Sequence, residues 1–177
     1  MAAYENGDSE QGSRLFDKLF SRSCHESFFA DDVLPAMRQA GLHQEVEKFW
    51  QLAKRAYCRT LLLFPEAHNS YNTAAWVASR AACDLDDAVI WIEKALERQP
   101  NTSAYLDTKA EVFFARGERE EAMQWSEKAC QKSGDGGTLA MLRVQYRHFR
   151  DDPFPATRSE EVLEPPIFEF EGATKEE

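Results

Sequence analysis

The residues able to do chemistry in this chain are scattered. Four cysteines, Cys24, Cys58, Cys83 and Cys130, lie too far apart in sequence for a Cys-x-x-Cys metal or redox site. They read as buried or half-buried thiols in a reducing compartment. His25, His43, His68 and His148 have no second ligand at i+3 or i+4. Three adjacent acid pairs, Asp31-Asp32, Asp86-Asp87 and Glu120-Glu121, offer carboxylates for acid–base work, but charges placed at helix starts explain them better. Phosphate-cradling Gly-x-x-x-x-Gly-Lys, Gly-x-Ser-x-Gly and His-Glu-x-x-His are all missing from the sequence. Asn101-Thr102-Ser103 has the form of a glycosylation acceptor, yet reads more simply as a helix cap. No catalytic residue, metal site or cofactor is expected, and the chain is read as non-enzymatic.

The elements that would have to position any site come from a repeat. Gly7 and Gly41 stand one interval of about 34 residues apart, and Cys83 and Gly117 repeat it. Five residues after each marker is a small or short apolar side chain: Gly12, Val46, Ala88 and Ala122. Twelve residues after each is another: Leu19, Ala53, Ala95 and Ala129. Small side chains at fixed offsets let helices approach closely, so the spacing predicts paired helices.

Residues 103–133 carry the clearest unit. Leu106, Ala110, Phe113 and Phe114 share one side of a first helix, opened by the polar run at Asn101. Gly117 ends that helix, and a second carries Ala122, Trp125 and Ala129 inward, with acids at its start and Lys128 and Lys132 at its end. Residues 69–100 follow the same order through Ala75, Trp76, Ser79, Ala88, Ile92, Ala95 and Pro100. There Cys83 replaces the glycine, so the turn is expected to be differently shaped, with Asp84 capping the second helix.

These two units resemble the tetratricopeptide repeat. Ala110, Ala122 and Ala129 in one, and Ala88, Ala95 and Pro100 in the other, fall where that pattern wants small residues and a terminal proline. Departures are Trp76 for a small residue, Lys109 for leucine and Cys83 for glycine. The resemblance is specific over 69–136 and implies an all-α, right-handed α-solenoid of stacked antiparallel helix pairs.

Upstream, 27–64 reads as a further pair, with Val46, Phe49, Trp50, Ala53, Tyr57, Thr60 and Leu61 on the inner stripe of its second helix. Pro35 should kink or delay the first helix. The longer marker interval here predicts a lengthened second helix running to Leu63. Residues 7–22 supply one partial unit. Its missing partner helix would come from a longer chain or from another chain, with self-association through that end as one consequence, or helix 9–22 simply packs on the next pair. Residues 138–149 read as a capping helix with Leu139, Leu142, Tyr146 and Phe149 inward. The solenoid is thus expected over 1–150.

Residues 151–177 form a Pro-rich acidic tail, expected to be irregular and partly disordered, with nine acids against Arg158 and Lys175, most of the formal net charge of −10. In it Pro165-Pro166-Ile167-Phe168-Glu169-Phe170 is apolar enough to dock, on the solenoid or on a partner, through Ile167, Phe168 and Phe170. A near-neutral body lacks the basic field that nucleic acid requires. With no apolar run long enough for a membrane span and no secretory start, a cytoplasmic protein is expected.

The resemblance implies a concave groove lined by first helices that holds a peptide or protein segment. In its register the groove residues are Arg38, Thr73, Val77, Arg80, Asp107, Glu111 and Phe114. The basic clamp by which part of the family grips a terminal carboxylate is not matched, because Asp31, Pro35, Thr73, Val77, Asp107 and Glu111 occupy its positions. The expected role is a protein-interaction scaffold. The alternative is the helical accessory region of a larger enzyme or complex.

Overall fold

A computed structural model describes residues 29–154. Among these residues the secondary structure is all helical, with no strand. A single π-helical turn, Phe29–Val33, leads into α1 (Leu34–Gln39); then follow α2 (His43–Leu63), α3 (His68–Ala81), α4 (Leu85–Arg98), α5 (Ser103–Ala115), α6 (Arg119–Lys132) and α7 (Gly136–Asp151). Expectations for residues 7–22 and for Ile167, Phe168 and Phe170 lie outside the described residues.

Pro35 stands in the first turn of α1, directly after the π-helical turn, so the regular α-helix begins at Leu34. Helix α2 is the lengthened element, 21 residues long, and its buried side chains Val46, Phe49, Trp50, Ala53, Tyr57 and Leu61 recur every three or four positions.

Each helix packs on the next in sequence, and α3 also packs on both α1 and α5. The odd-numbered helices α1, α3 and α5 therefore make a continuous row. Small residues at the recurring offsets let this happen: Ala53, Ala88, Ala95, Ala122 and Ala129 are all fully buried, and Val46 nearly so. The largest apolar cluster runs from Phe29 through Trp50 and Trp91 to Val112, with Phe29 stacked on Phe49 at 4.4 Å.

The turns are built in two ways. Gly41 and Gly117 end α1 and α5 in the left-handed conformation, at φ 74° and 84°. At the position matching Gly117, Cys83 does not take that conformation. Its neighbours Ala82 and Asp84 do, at φ 54° and 47°. Asp84 was expected to cap α4 with its side chain, but makes no capping hydrogen bond. Its Oδ2 instead accepts from Trp50 Nε1 in a partly buried bond and from Lys54 Nζ in an exposed one, both at 2.7 Å and both charge-assisted. Thr102 likewise gives α5 no side-chain cap. The one side-chain cap on a described helix comes from Asp135, whose Oδ1 accepts from Thr138 N at 2.7 Å to start α7.

Lys109 stands where the repeat pattern prefers leucine, and it is buried. Its stem packs in the interior while Nζ meets Glu93 at 3.2 Å and lies 4.0 Å from the Trp125 ring centre. Lys128 covers the same ring at 3.8 Å, so Trp125 is half-buried rather than fully inward.

Candidate functional site

One hollow of about 330 Å³ opens on the row of odd-numbered helices. Its walls come from α1 (Pro35, Arg38, Gln39), α3 (Ser79, Arg80), α5 (Glu111, Phe114, Ala115) and the last turn of α7 with the residues after it (His148, Asp152, Pro153, Phe154). Helical periodicity explains the alignment. Arg80 lies one turn beyond Trp76 on α3, and Glu111 and Phe114 are three apart on α5, so their side chains share one side of neighbouring helices.

Arg80 is the electrostatic centre. Its Nη1 donates to Glu111 Oε1 and its Nη2 to Asp31 Oδ1, both at 3.3 Å, so one guanidinium ties the opening turn, α3 and α5 together. Arg38 Nη1 reaches the Arg80 carbonyl at 3.4 Å. Glu111 is buried and also accepts from Gln145 Nε2 of α7. Burial pushes its carboxyl above the ordinary glutamate range, while the positive charge of Arg80 works in the opposite sense.

Asp107, one turn before Glu111, does not line the hollow. Its Oδ1 is buried without a hydrogen-bond partner. Burial, reinforced by the nearby Glu111 charge and opposed by Arg80, pushes its pKa up to about 7.

The far wall is aromatic. Phe114 meets the edge of His148 at 4.9 Å, Phe149 at 5.2 Å and Phe154 at 5.4 Å. His148 Nδ1 is paired with Asp152 Oδ2 at 2.6 Å. Arg119 lies over the Phe154 ring at 4.5 Å and donates to the Asp152 carbonyl at 2.6 Å, which fixes the path of the chain as it leaves α7.

Of the seven residues chosen for the groove, Arg38, Arg80, Glu111 and Phe114 come together here. Thr73 is half-buried, and its hydroxyl donates back to the Asn69 carbonyl of its own helix at 2.9 Å. Val77 is packed within the main apolar cluster and is only 3% exposed, so it contributes volume beneath the surface.

Sequence reasoning missed His148, Asp152, Pro153 and Phe154. His148 falls in the capping helix and Asp152, Pro153 and Phe154 in the tail, although Phe149 on the inward stripe implies that His148 flanks it on an adjacent face. Nothing in the sequence indicated that α7 would end against Phe114.

Among the described residues Cys58, Cys83 and Cys130 are free, with Cys83 and Cys130 half-buried. Cys58 is exposed, contrary to the expectation for these thiols, because it lies off the inward stripe of α2. Burial, then the Glu47 carboxylate that accepts from its Sγ at 3.4 Å, push the Cys83 thiol well above its ordinary range. It is therefore a poor nucleophile.

Among the described residues, no cluster of three or more His, Cys, Asp or Glu could hold a metal ion, and no helix is long and apolar enough to cross a membrane. No family model, curated protein or solved structure matches this chain.

Proposed function

We propose that this chain is a non-enzymatic, cytoplasmic interaction scaffold: a right-handed α-solenoid of tetratricopeptide type, made of antiparallel helix pairs, whose hollow seats a segment of another polypeptide. The observation that carries this reading is the convergence of Arg38, Arg80, Glu111 and Phe114, from three helices far apart in sequence, on one concavity. Its charged groups are largely engaged with one another: Arg80 with Asp31 and Glu111, and His148 with Asp152. What remains for a ligand is the aromatic wall of Phe114 and Phe154, the flat faces of Pro35 and Pro153, and backbone at the rim. Such a surface suits an apolar or aromatic side chain of a peptide, with polar groups at the edge fixing its direction. A free carboxylate is disfavoured by Glu111 and Asp152.

The test is photo-crosslinking in the native cell, with a benzophenone amino acid placed at Gln39 on the rim or at Leu52 on the exposed side of α2. A polypeptide captured at Gln39 and not at Leu52 is the expected result. Equal capture at both positions, or none at Gln39, would exclude the hollow as the docking site.

A second reading, the accessory region of a larger assembly, draws on Leu62, Leu63 and Phe64. This run at the end of α2 is 60% or more exposed at each position. Co-purification of a stoichiometric subunit that Leu62→Glu releases would favour it.

A further inference from the structure

The outward face of α7 carries a basic and apolar pattern that no described residue covers. Met141 and Val144 are 74% and 57% exposed. Arg147 follows Val144 at i+3, and Arg143, Arg147 and Arg150 follow one another at i, i+4 and i+7, so the arginine stripe adjoins Val144 while Met141 lies on the other side of Val144. Arg150 is paired with Asp151 at 2.7 Å, but Arg143 and Arg147 have no ion pair among the described residues. The opposite face is turned inward through Leu142 and Phe149.

We propose that residues 160–171 of this same chain dock on that face. These residues alternate acids with apolar side chains: Glu160, Glu161, Glu164, Glu169 and Glu171 among Val162, Leu163, Ile167, Phe168 and Phe170. The pattern is complementary to α7 in both respects, glutamates for the arginine stripe and apolar groups for Met141 and Val144. Reach is ample. The exit path is held at Phe154 beside the end of α7, and the 14 residues from there to Phe168 span up to about 46 Å when extended. Helix α7 is only about 24 Å long. Tethering also raises the local concentration of the segment to the millimolar range, so weak contacts suffice.

Other occupants fit less well. A second copy of the α7 face would set arginine against arginine. In the hollow, the glutamates of the segment would meet Glu111 and Asp152. Docked on α7, the segment covers the exposed Met141 and Val144 and leaves the hollow open for a partner, so this inference stands independently of the proposed function.

Methionine methyl NMR on the full chain tests the proposal, because the sequence has only four methionines and Met37, Met123 and Met141 differ in environment. Met141 reports on the face, while buried Met37 reports on folding. Replacing Ile167, Phe168 and Phe170 together by serine should move the Met141 methyl signal and sharpen it, leaving Met37 in place. The double variant Arg143→Glu, Arg147→Glu should produce the same displacement. Raising salt from about 0.05 to about 0.5 M should carry the unaltered chain part of the way, since exposed ion pairs are screened. An unmoved Met141 signal in the serine variant overturns the proposal. A Met141 shift that fades on dilution would assign the face to a second copy and overturn it equally. Perturbation at Met123, which packs against the Phe114 cluster, without any at Met141 would place the segment in the hollow instead.

Discussion

The pairs α3/α4 and α5/α6 share one 34-residue register and bury the same small residues, yet they hold their turns by different means. In α5/α6, Gly117 adopts the left-handed conformation locally and needs no distant partner. In α3/α4, Ala82 and Asp84 take that conformation against their preference, and the Asp84 carboxylate is tied to Trp50 and Lys54 of α2. The first turn is thus supported by tertiary contacts and the second by its own residue. Their aspartates diverge in the same sense. Burial opposes the charge on Asp84, but hydrogen bonds from Lys54 and Trp50 outweigh it and hold the carboxyl below the ordinary range. Asp107 on α5 has no donor at its buried oxygen, and burial prevails. A repeat can therefore preserve its packing while exchanging local for long-range support.

The largest test of this contrast is Trp50→Ala. It removes a fully buried ring and the Nε1 donor to Asp84 together, and should cost about 3–5 kcal/mol in urea unfolding. Asp84→Ala removes the carboxylate but keeps the unfavourable φ, for a loss of about 1.5–3 kcal/mol at neutral pH. Because the folded state lowers this pKa, the stabilisation is complete above the unfolded value near 4 and is lost as pH falls through the folded value. Unfolding curves for the variant and the parent should accordingly converge in acid.

Reciprocal exchange at the marker positions gives a smaller, asymmetric effect. Gly117→Cys should cost about 1–2 kcal/mol, since only the glycine has a left-handed φ at this offset. Cys83→Gly relieves nothing and should lose about 0.5 kcal/mol through backbone entropy, whereas Ala82→Gly should gain up to about 1 kcal/mol. Equal and opposite effects at 83 and 117 would show that the two turns are equivalent after all.

The last prediction is read from the pH profile rather than from its size. The folded state raises the Asp107 pKa to about 7, so the native protein holds a proton that the unfolded chain has released. Stability therefore declines as pH rises from about 4 through about 7. Asp107→Asn should make that decline shallower, leaving the part that the raised Glu111 carboxyl contributes, and leave stability unchanged below about pH 4. A variant that is no more stable than the parent at pH 8 would contradict the burial argument.

Much of the helical organisation was legible because it rests on local spacing. The buried stripe of α2, from Val46 to Leu61, and the fully buried alanines at 53, 88, 95, 122 and 129 follow from positions in the sequence. Half of the candidate site was legible through the resemblance to the tetratricopeptide repeat, whose register implies Arg80, Glu111 and Phe114 together. The other half depends on where α7 ends, and no periodicity within a helix states the angle at which it meets a neighbour.

The sequence by itself determined where helices run, which side of each is apolar, and that Gly41 and Gly117 would end them, since these follow from side-chain spacing and backbone sterics within a few residues. Only the tertiary structure decided that Asp84 would bind α2 instead of capping α4, that Val77 would lie inside while Arg80 bridged Asp31 and Glu111, and that His148 and Phe154 would complete the wall beside Phe114. Those outcomes depend on competition among partners distant along the chain, and such a competition is settled by distance and desolvation once the helices have packed.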